Sequence, residues 1–241
     1  MSNSKHTVTA FDADLDGLRD NIRQMGDIAQ ATLAACVDAL LSGDQQAATR
    51  AIAQDELIDA LERRVEEGAV LTIARRQPLA VDLRDIMAAV RIASDLERIG
   101  DLSKNIAKRA QALGNERPPP ALADRIGRMS TLAGEQLRRV LEAYAERDAD
   151  RAIAIRNEDG EIDVLNTEFF RESIDYIART YNNIAGITHL LFCAKNIERI
   201  GDHVTNISEN VYFIVTGSLP PQERVKLDSS SSVSTVTAAD K

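Results

Sequence analysis

The chain has 241 residues, a net charge of −9 and an apolar fraction of 44%, enough for one large domain or two small ones with a real core. The acidic balance, without a dense basic block interleaved with aromatic residues, excludes a typical nucleic-acid-binding surface. No apolar run approaches the roughly 20 residues that a membrane span needs, and residues 1–10 lack the apolar stretch of a signal peptide. We therefore expect a cytoplasmic protein with no membrane insertion, and its two cysteines, Cys36 and Cys193, to be buried and reduced.

Helical periodicity covers nearly the whole chain. The predicted helices span residues 13–41, 45–76, 83–113 and 122–146, followed by a fifth helix that starts after Asp148 and a sixth that ends near Gly217. Asp44 and Asp82 are predicted N-caps of the second and third helices. Between the fifth and sixth helices the chain should reverse within residues 176–186, where Asn182, Asn183 and Gly186 favour a turn.

A five-residue string, Glu-Arg-Ile-Gly-Asp, occurs at residues 97–101 and again at 198–202. The separation is 101 positions (198 minus 97), and an Asn-Ile pair repeats at the same separation at 105–106 and 206–207. Earlier parts of the two halves align at a separation of 104 positions (148 minus 44). A fixed long period indicates two copies of one structural unit.

These elements predict an all-α fold of two tandem antiparallel three-helix bundles. The first repeat would span residues 1–115 and the second residues 116–219, because the Gly- and Pro-rich run at 114–120 cannot continue a helix. Residues 220–241 contain few large apolar groups and are expected to form a disordered tail.

The repeated string places acidic residues on one side of the third helix. At 100° per residue, Glu97, Asp101 and Asn105 fall within about 80° of one another, and isoleucines occupy roughly the opposite side. The second helix has its own acidic stripe, in which Asp55 and Asp59 are predicted to lie opposite an apolar face marked by Leu57, Leu61 and Val65. The acids should therefore face outward or into a groove beside a neighbouring helix.

Adjacent carboxylates repel one another and favour a bound cation, nearby arginines or solvent. Carboxylate and amide oxygens suit magnesium, manganese or iron, whereas zinc usually brings nitrogen or sulfur ligands. An outward stripe predicts open sites. The candidate metal ligands are Asp55, Asp59, Glu97 and Asp101 in the first repeat and Asp159, Asp163, Glu198 and Asp202 in the second.

Structural roles compete with each of these interpretations. Exposed acids on helices are common, so a metal-free helical scaffold with solvated acidic faces is one alternative. A carboxylate-bridged metalloenzyme is another, although di-iron bundles typically use a Glu-x-x-His motif that this chain lacks. Gly100 and Gly201 indicate close helix packing, and Arg98 is expected to pair with neighbouring acids. His203 has Leu102 as its counterpart, so it could add a nitrogen ligand only in the second repeat.

At these residues the sequence resembles the PhoU family, the regulators associated with bacterial high-affinity phosphate transport. The resemblance covers about residues 6–217 and rests on the two Glu-Arg-Ile-Gly-Asp strings and on an acid followed four positions later by Asp, twice per repeat. It implies two similar three-helix bundles with multinuclear metal clusters at these motifs on the protein surface, and zinc stays among the candidate metals. A proline that the family often has before the sixth helix is missing here.

The resemblance also implies what the protein does. Family members are non-enzymatic and dampen the phosphate-starvation response when phosphate is plentiful. Their expected partners are the ATPase subunit of the phosphate ABC transporter and a membrane-bound sensor histidine kinase, and a homodimer is the expected assembly.

Overall fold

The computed structural model describes residues 2–180, 183–220 and 227–230. The helices are α1 (Ser2–Ser42), α2 (Gln45–Ala53), α3 (Asp55–Arg76), α4 (Ala80–Leu113), α5 (Pro120–Glu146), α6 (Ala149–Glu158), α7 (Gly160–Thr180) and α8 (Ile184–Thr216). No strand occurs within the described ranges, which confirms the all-α class. None of the helices described is long and apolar enough to cross a membrane.

The predicted second and fifth helices are each divided into two. The chain between α2 and α3 passes through Gln54, and that between α6 and α7 passes through Asp159; both residues keep right-handed helical dihedral angles. Backbone bonds between residues three apart tighten these points, from Leu57 N–H to the Gln54 carbonyl at 3.1 Å and from Ile162 N–H to the Asp159 carbonyl at 3.1 Å. The direction of each helix therefore continues through a short 3₁₀-type turn, and the fold has six helical rods.

Side-chain caps begin several helices. Asp44 accepts hydrogen bonds from backbone N–H groups at the start of α2, and Asp148 does the same for α6. The predicted cap Asp82 is wrong, because α4 begins earlier, after the extended residue Leu79, and Asp82 lies in its first turn. There its negative charge interacts favourably with the positive end of the helix dipole, but Leu79 is the N-cap residue.

The turn before α8 is formed at Asn183, as the sequence predicts. Asn183 adopts a left-handed conformation with φ of 58°, and its side chain accepts a hydrogen bond from the backbone N–H of Gly186. Asparagine tolerates this conformation better than most residues, which lets the chain reverse here without a proline. Asn182 lies outside the described residues.

The two long helices α4 and α8 pack antiparallel at the centre of the molecule. Asp95, in the first half of α4, lies 2.9 Å from His203 in the second half of α8, and Arg109 lies 3.2 Å from His189 near the start of α8. Buried residues of both repeats form one continuous apolar core, which includes Ile99 and Ile200 of the repeated strings. The repeated strings thus lie on helices that are largely enclosed, with their isoleucines and glycines buried in both repeats.

Both cysteines lie in this core. Cys36 and Cys193 are buried free thiols, as the sequence predicts. Burial raises the pKa of each to about 12, so both stay protonated at neutral pH.

A glycine in each repeated string allows two helices to approach closely. A Cβ atom at Gly100 would lie 2.8 Å from Ile58 Cδ1 and 3.7 Å from Asp55 Oδ1. A Cβ atom at Gly201 would lie 3.0 Å from Ile162 Cδ1 and 3.2 Å from Asp159 Oδ1. These glycines let α3 pack on α4 and α7 on α8, and they bring the first acid of each candidate metal motif against the neighbouring helix.

We predict that Gly100→Ala destabilises the protein. Alanine favours a helix by about 1 kcal/mol over glycine, but its Cβ would overpack the fully buried Ile58. Gly134→Ala is the matched control, because a Cβ there meets no atom within 4 Å. Urea unfolding should give Gly100→Ala a free energy of unfolding about 1–3 kcal/mol below that of the control, the usual cost of overpacking. Equal stabilities of the two variants would show that Ile58 makes room for the added Cβ atom without a measurable cost.

Candidate metal-binding clusters

The first acidic cluster consists of Asp55, Asp59, Glu97 and Asp101. Asp55 is the first residue of α3 and is buried, while the other three are partly exposed. The ammonium group of Lys104, one turn after Asp101, donates hydrogen bonds to Asp55 and, at 2.8 Å, to Asp101 Oδ1. Carboxylates of α3 and α4 therefore share the ammonium group of Lys104.

The helical face on which Asp55 lies differs from the predicted one. The buried face of α3 is formed by Ile58, Leu61 and Val65, and Asp55 precedes Ile58 by three positions, so it shares this face. Leu57, predicted to be apolar core, is 51% exposed. The first acid of the motif is therefore placed at the edge of the core and not on an outward stripe.

Negative charge accumulates around this cluster. Burial, followed by repulsion from Asp101, raises the pKa of Glu97. Burial, followed by repulsion from Glu66 and Asp59, raises the pKa of Glu62, one turn along α3. Burial alone would raise the pKa of Asp101, but its hydrogen bond from Lys104 lowers it. The positive groups nearby are therefore too few to stabilise the ionised form of every carboxylate in and around this cluster.

Two basic side chains neutralise part of this charge. Burial alone would lower the pKa of Lys104, but its hydrogen bonds to Asp101 and Asp55 raise it, so the ammonium stays charged. Arg98 lies 3.4 Å from Glu97 and 3.9 Å from Asp101, which confirms its predicted pairing with neighbouring acids.

The second acidic cluster consists of Asp159, Asp163, Glu198 and Asp202. Three of its acids are almost fully enclosed, with exposed fractions of 3% for Asp159, 1% for Asp163 and 2% for Glu198. The expectation of an open, outward-facing site is therefore wrong for these residues. The physical reason is that α7 packs closely on α8 beside Gly201 and that residues 227–230 cover Asp163, whose Oδ2 accepts a hydrogen bond from Leu227 N–H at 2.8 Å.

A lysine again provides the positive charge. Lys195 Nζ lies 2.9 Å from Glu198 Oε2 and 2.8 Å from Asp228 Oδ2. Glu198 Oε2 is buried, and the Lys195 ammonium is the positive group beside it. Burial raises the pKa of Glu198, with Lys195 opposing the shift. Burial alone would raise the pKa of Asp228, but Lys195 and the Ser230 N–H lower it to about 2.

The side chains of each cluster are close but are not arranged around a common ion. Across residues 2–180, 183–220 and 227–230, no group of three or more His, Cys, Asp or Glu side chains has the arrangement of a metal site. Each cluster instead holds a lysine ammonium group: Lys104 lies between carboxylates of two helices, and Lys195 lies 2.9 Å from the buried Glu198 Oε2. The acidic side chains offer only oxygen ligands, the kind that hard cations prefer.

His189 and His203 of α8 both contact side chains of α4. His203 Nδ1 contacts Asp95 at 2.9 Å, so this residue links α8 to α4 of the other repeat. Arg109 is a donor only, so the His189 Nδ1 that lies 3.2 Å away must accept its hydrogen bond. The predicted polar role of His189 agrees with this contact.

The residues in contact with the clusters that the sequence did not predict are Lys104, Lys195, Thr167 and Asp228. The two lysines had a signal, since Lys104 follows Asp101 by three positions and Lys195 precedes Glu198 by three, the spacing of neighbours on a helix. Thr167 and Asp228 had none, because their contact joins residues 61 positions apart.

We predict that Lys104→Met destabilises the cation-free protein. Removing the ammonium leaves the buried Asp55 carboxylate without its donor, which costs about 1–3 kcal/mol. Lys108→Met, at an exposed position of the same helix, is the control. Urea unfolding in the presence of a chelator should separate the two variants, and addition of Mn²⁺ should recover more stability in Lys104→Met. Identical unfolding curves would exclude a bridging role for Lys104.

Comparison with known proteins identifies relatives along almost the whole chain. A family model described as the PhoU domain matches residues 22–110 and 126–211. A protein from Rhizobium meliloti (strain 1021), named phosphate-specific transport system accessory protein PhoU homolog, is 47% identical over 232 residues, which are 96% of this chain and 98% of that protein. The similarly named protein of Caulobacter vibrioides (strain NA1000 / CB15N) is 42% identical over 225 residues, 93% of this chain and 98% of its own length.

Solved structures share the same fold. The crystal structure of PhoU from Pseudomonas aeruginosa has a TM-score of 0.83 at 31% identity, and the match covers 86% of this chain and all (100%) of that one. The phosphate transport system regulatory protein PhoU from Streptococcus pneumoniae has a TM-score of 0.81 at 27% identity, with 88% and 100% covered. The arrangement of helices that forms both clusters is therefore common to these proteins.

Proposed function

The chain belongs to the PhoU family, and we propose that it regulates phosphate uptake and the phosphate-starvation response through contacts with other proteins. Its partners would be the ATPase subunit of the phosphate ABC transporter and a sensor histidine kinase, in the cytoplasm and as a homodimer. The relatives named as phosphate-specific transport system accessory proteins support this assignment. Catalysis has no part in the proposal.

The observation that carries the proposal is the pairing of clustered acids with a lysine ammonium group in each repeat. In the first cluster Lys104 joins Asp55 of α3 to Asp101 of α4. In the second, Lys195 pairs with Glu198 of α8 beside the buried Asp159 and Asp163. A lone buried carboxylate is costly unless a cation accompanies it, so both clusters are suited to respond to cations.

The metal ligands would be the eight predicted acids, Asp55, Asp59, Glu97, Asp101, Asp159, Asp163, Glu198 and Asp202. A bound cation would supply positive charge that neutralises these carboxylates. The oxygen-only donors favour magnesium, manganese or iron, and zinc is the least suited because it usually takes nitrogen or sulfur ligands.

In each repeat a short turn divides the second helical rod. This turn offers a way to transmit a change at the acidic cluster to the protein surface. The short turns at Gln54 and Asp159 lie directly beside or within the clusters, and such turns inside a helix often act as hinges. Exchange of a lysine for a cation would alter the charge beside the hinge and the position of α3 or α7. A partner that contacts these helices would then distinguish the two states by differential affinity.

The metalloenzyme alternative gains no support from the histidines. Di-iron bundles place Glu-x-x-His motifs in the core, whereas His189 contacts Arg109 and His203 contacts Asp95. Both side chains have structural partners between α4 and α8. A regulatory role accounts for the duplicated acids without requiring a substrate.

We predict that the double variant Asp101→Asn/Asp202→Asn binds fewer cations than the unmodified protein. Each change removes one carboxylate charge from a cluster and leaves its shape nearly unchanged. Native mass spectrometry after loading with Mn²⁺ measures the stoichiometry. Asp20→Asn/Glu146→Gln removes the same charge from highly exposed acids and should bind as many ions as the unmodified protein. Equal stoichiometry in both double variants would remove Asp101 and Asp202 from the proposed sites.

Capture of partners tests the regulatory role independently of metal. The tagged chain, expressed in its own cells grown with high or low phosphate, should enrich the transporter ATPase or the sensor kinase in at least one condition. Asp101→Asn/Asp202→Asn should change the amount captured because the surface charge around the clusters changes, while Asp20→Asn/Glu146→Gln should not. Absence of both proteins under both conditions would contradict the assignment.

A further inference from the structure

Residues 227–230 form a short segment that lies along α7. Leu227 N–H donates to Asp163 Oδ2 at 2.8 Å, and Ser229 N–H donates to Thr167 Oγ1 at 3.1 Å. The Thr167 hydroxyl in turn donates to Asp228 Oδ1 at 3.3 Å. Asp163 and Thr167 are four positions apart and therefore lie on one side of α7, so the segment follows a single stripe of this helix.

The side chains of the segment strengthen the contact. A Cβ at Gly160 would lie 2.7 Å from Leu227 Cδ1, so the leucine is seated directly on the glycine at the start of α7. Asp228 pairs with Lys195 of α8 at 2.8 Å, and its side chain is only 11% exposed. Lys195 also lies 2.9 Å from Glu198, so Asp228 of the segment shares this lysine with an acid of the second cluster.

The first repeat lacks the residues that hold the segment. At the separation of 104 positions, Gly160 (160 minus 104) corresponds to Glu56 and Thr167 (167 minus 104) to Arg63. At the separation of 101 positions, Lys195 (195 minus 101) corresponds to Ser94. Asp163 is matched by Asp59, so this acid is common to both repeats. The residues that contact the segment around it are not.

We propose that residues 227–230 are an intramolecular occupant of the second acidic cluster and compete there with cations. The proposal rests on the proposed cation-binding function of that cluster. The docked segment donates the Leu227 N–H to Asp163 and pairs with Lys195 beside Glu198, so a cation that binds Asp163 has to displace it. The two clusters of one chain therefore differ: Lys104 and Arg98 contact the first, and residues 227–230 cover part of the second.

The competition has a measurable consequence. A site that is open for only one-tenth of the time binds about tenfold more weakly than the same site left open. Loss of the segment should raise the affinity of the second cluster by about this factor and leave the first cluster unchanged. Cation binding should in turn release the segment, because linkage between two ligands of one site is reciprocal.

The experiment compares Leu227→Ala/Asp228→Ala with Val233→Ala/Asp240→Ala, which makes the same two kinds of change farther along the C-terminal region. Both are made in full-length protein that carries Asp101→Asn, so that binding at the first cluster is weakened. Mn²⁺ is the probe, titrated by electron paramagnetic resonance. Hydrogen exchange of the peptide that contains residues 227–230 reports docking without reference to metal.

The expected result is an affinity about tenfold higher in Leu227→Ala/Asp228→Ala and a peptide that is protected without Mn²⁺ and exchanges faster with it. Equal Mn²⁺ affinities in the two variants, or a peptide that stays protected in the Mn²⁺-bound protein, would overturn the competition while leaving the cation site intact. No Mn²⁺ binding in any variant, with the peptide still protected, would overturn the proposed cation site itself.

Discussion

The structure depends on burying carboxylates where two helices meet. Gly100 and Gly201 bring neighbouring helices so close that Asp55 and Asp159 are enclosed at the interface. A carboxylate in this position is tolerated only with a positive partner. The lysines beside the acids meet this requirement, and the burial of Glu97 and Glu198 raises the pKa of both.

The repeats meet that requirement in different ways, although their helices are equivalent. In the first, Lys104 follows the acidic string on the same helix and reaches across to α3. In the second, Lys195 precedes the string and is shared with Asp228 of the C-terminal segment. Duplication preserved the acids, while the counter-charges diverged. If the clusters bind cations as proposed, their different counter-charges would give the two sites different affinities.

The fold was largely predictable because its signals are periodic. Apolar spacing located the rods, and Asp44, Asp148 and Asn183 ended or began them as their chemistry requires. The assignment of Leu57 to the core failed because helical spacing defines a face only when the register is known, and the turn at Gln54 shifts it. The contact of Asp228 with Lys195 was beyond the sequence, since nothing local distinguishes an acid that packs from one that is solvated.

The antiparallel packing of α4 on α8 also bears on whether one repeat could stand alone. Each of these helices buries the apolar side that the other would otherwise expose, and together they form one core. A half-length chain with a single bundle would present that side to water and would need a second bundle to cover it. The two repeats therefore supply, within one polypeptide, the partner surface that each of them requires.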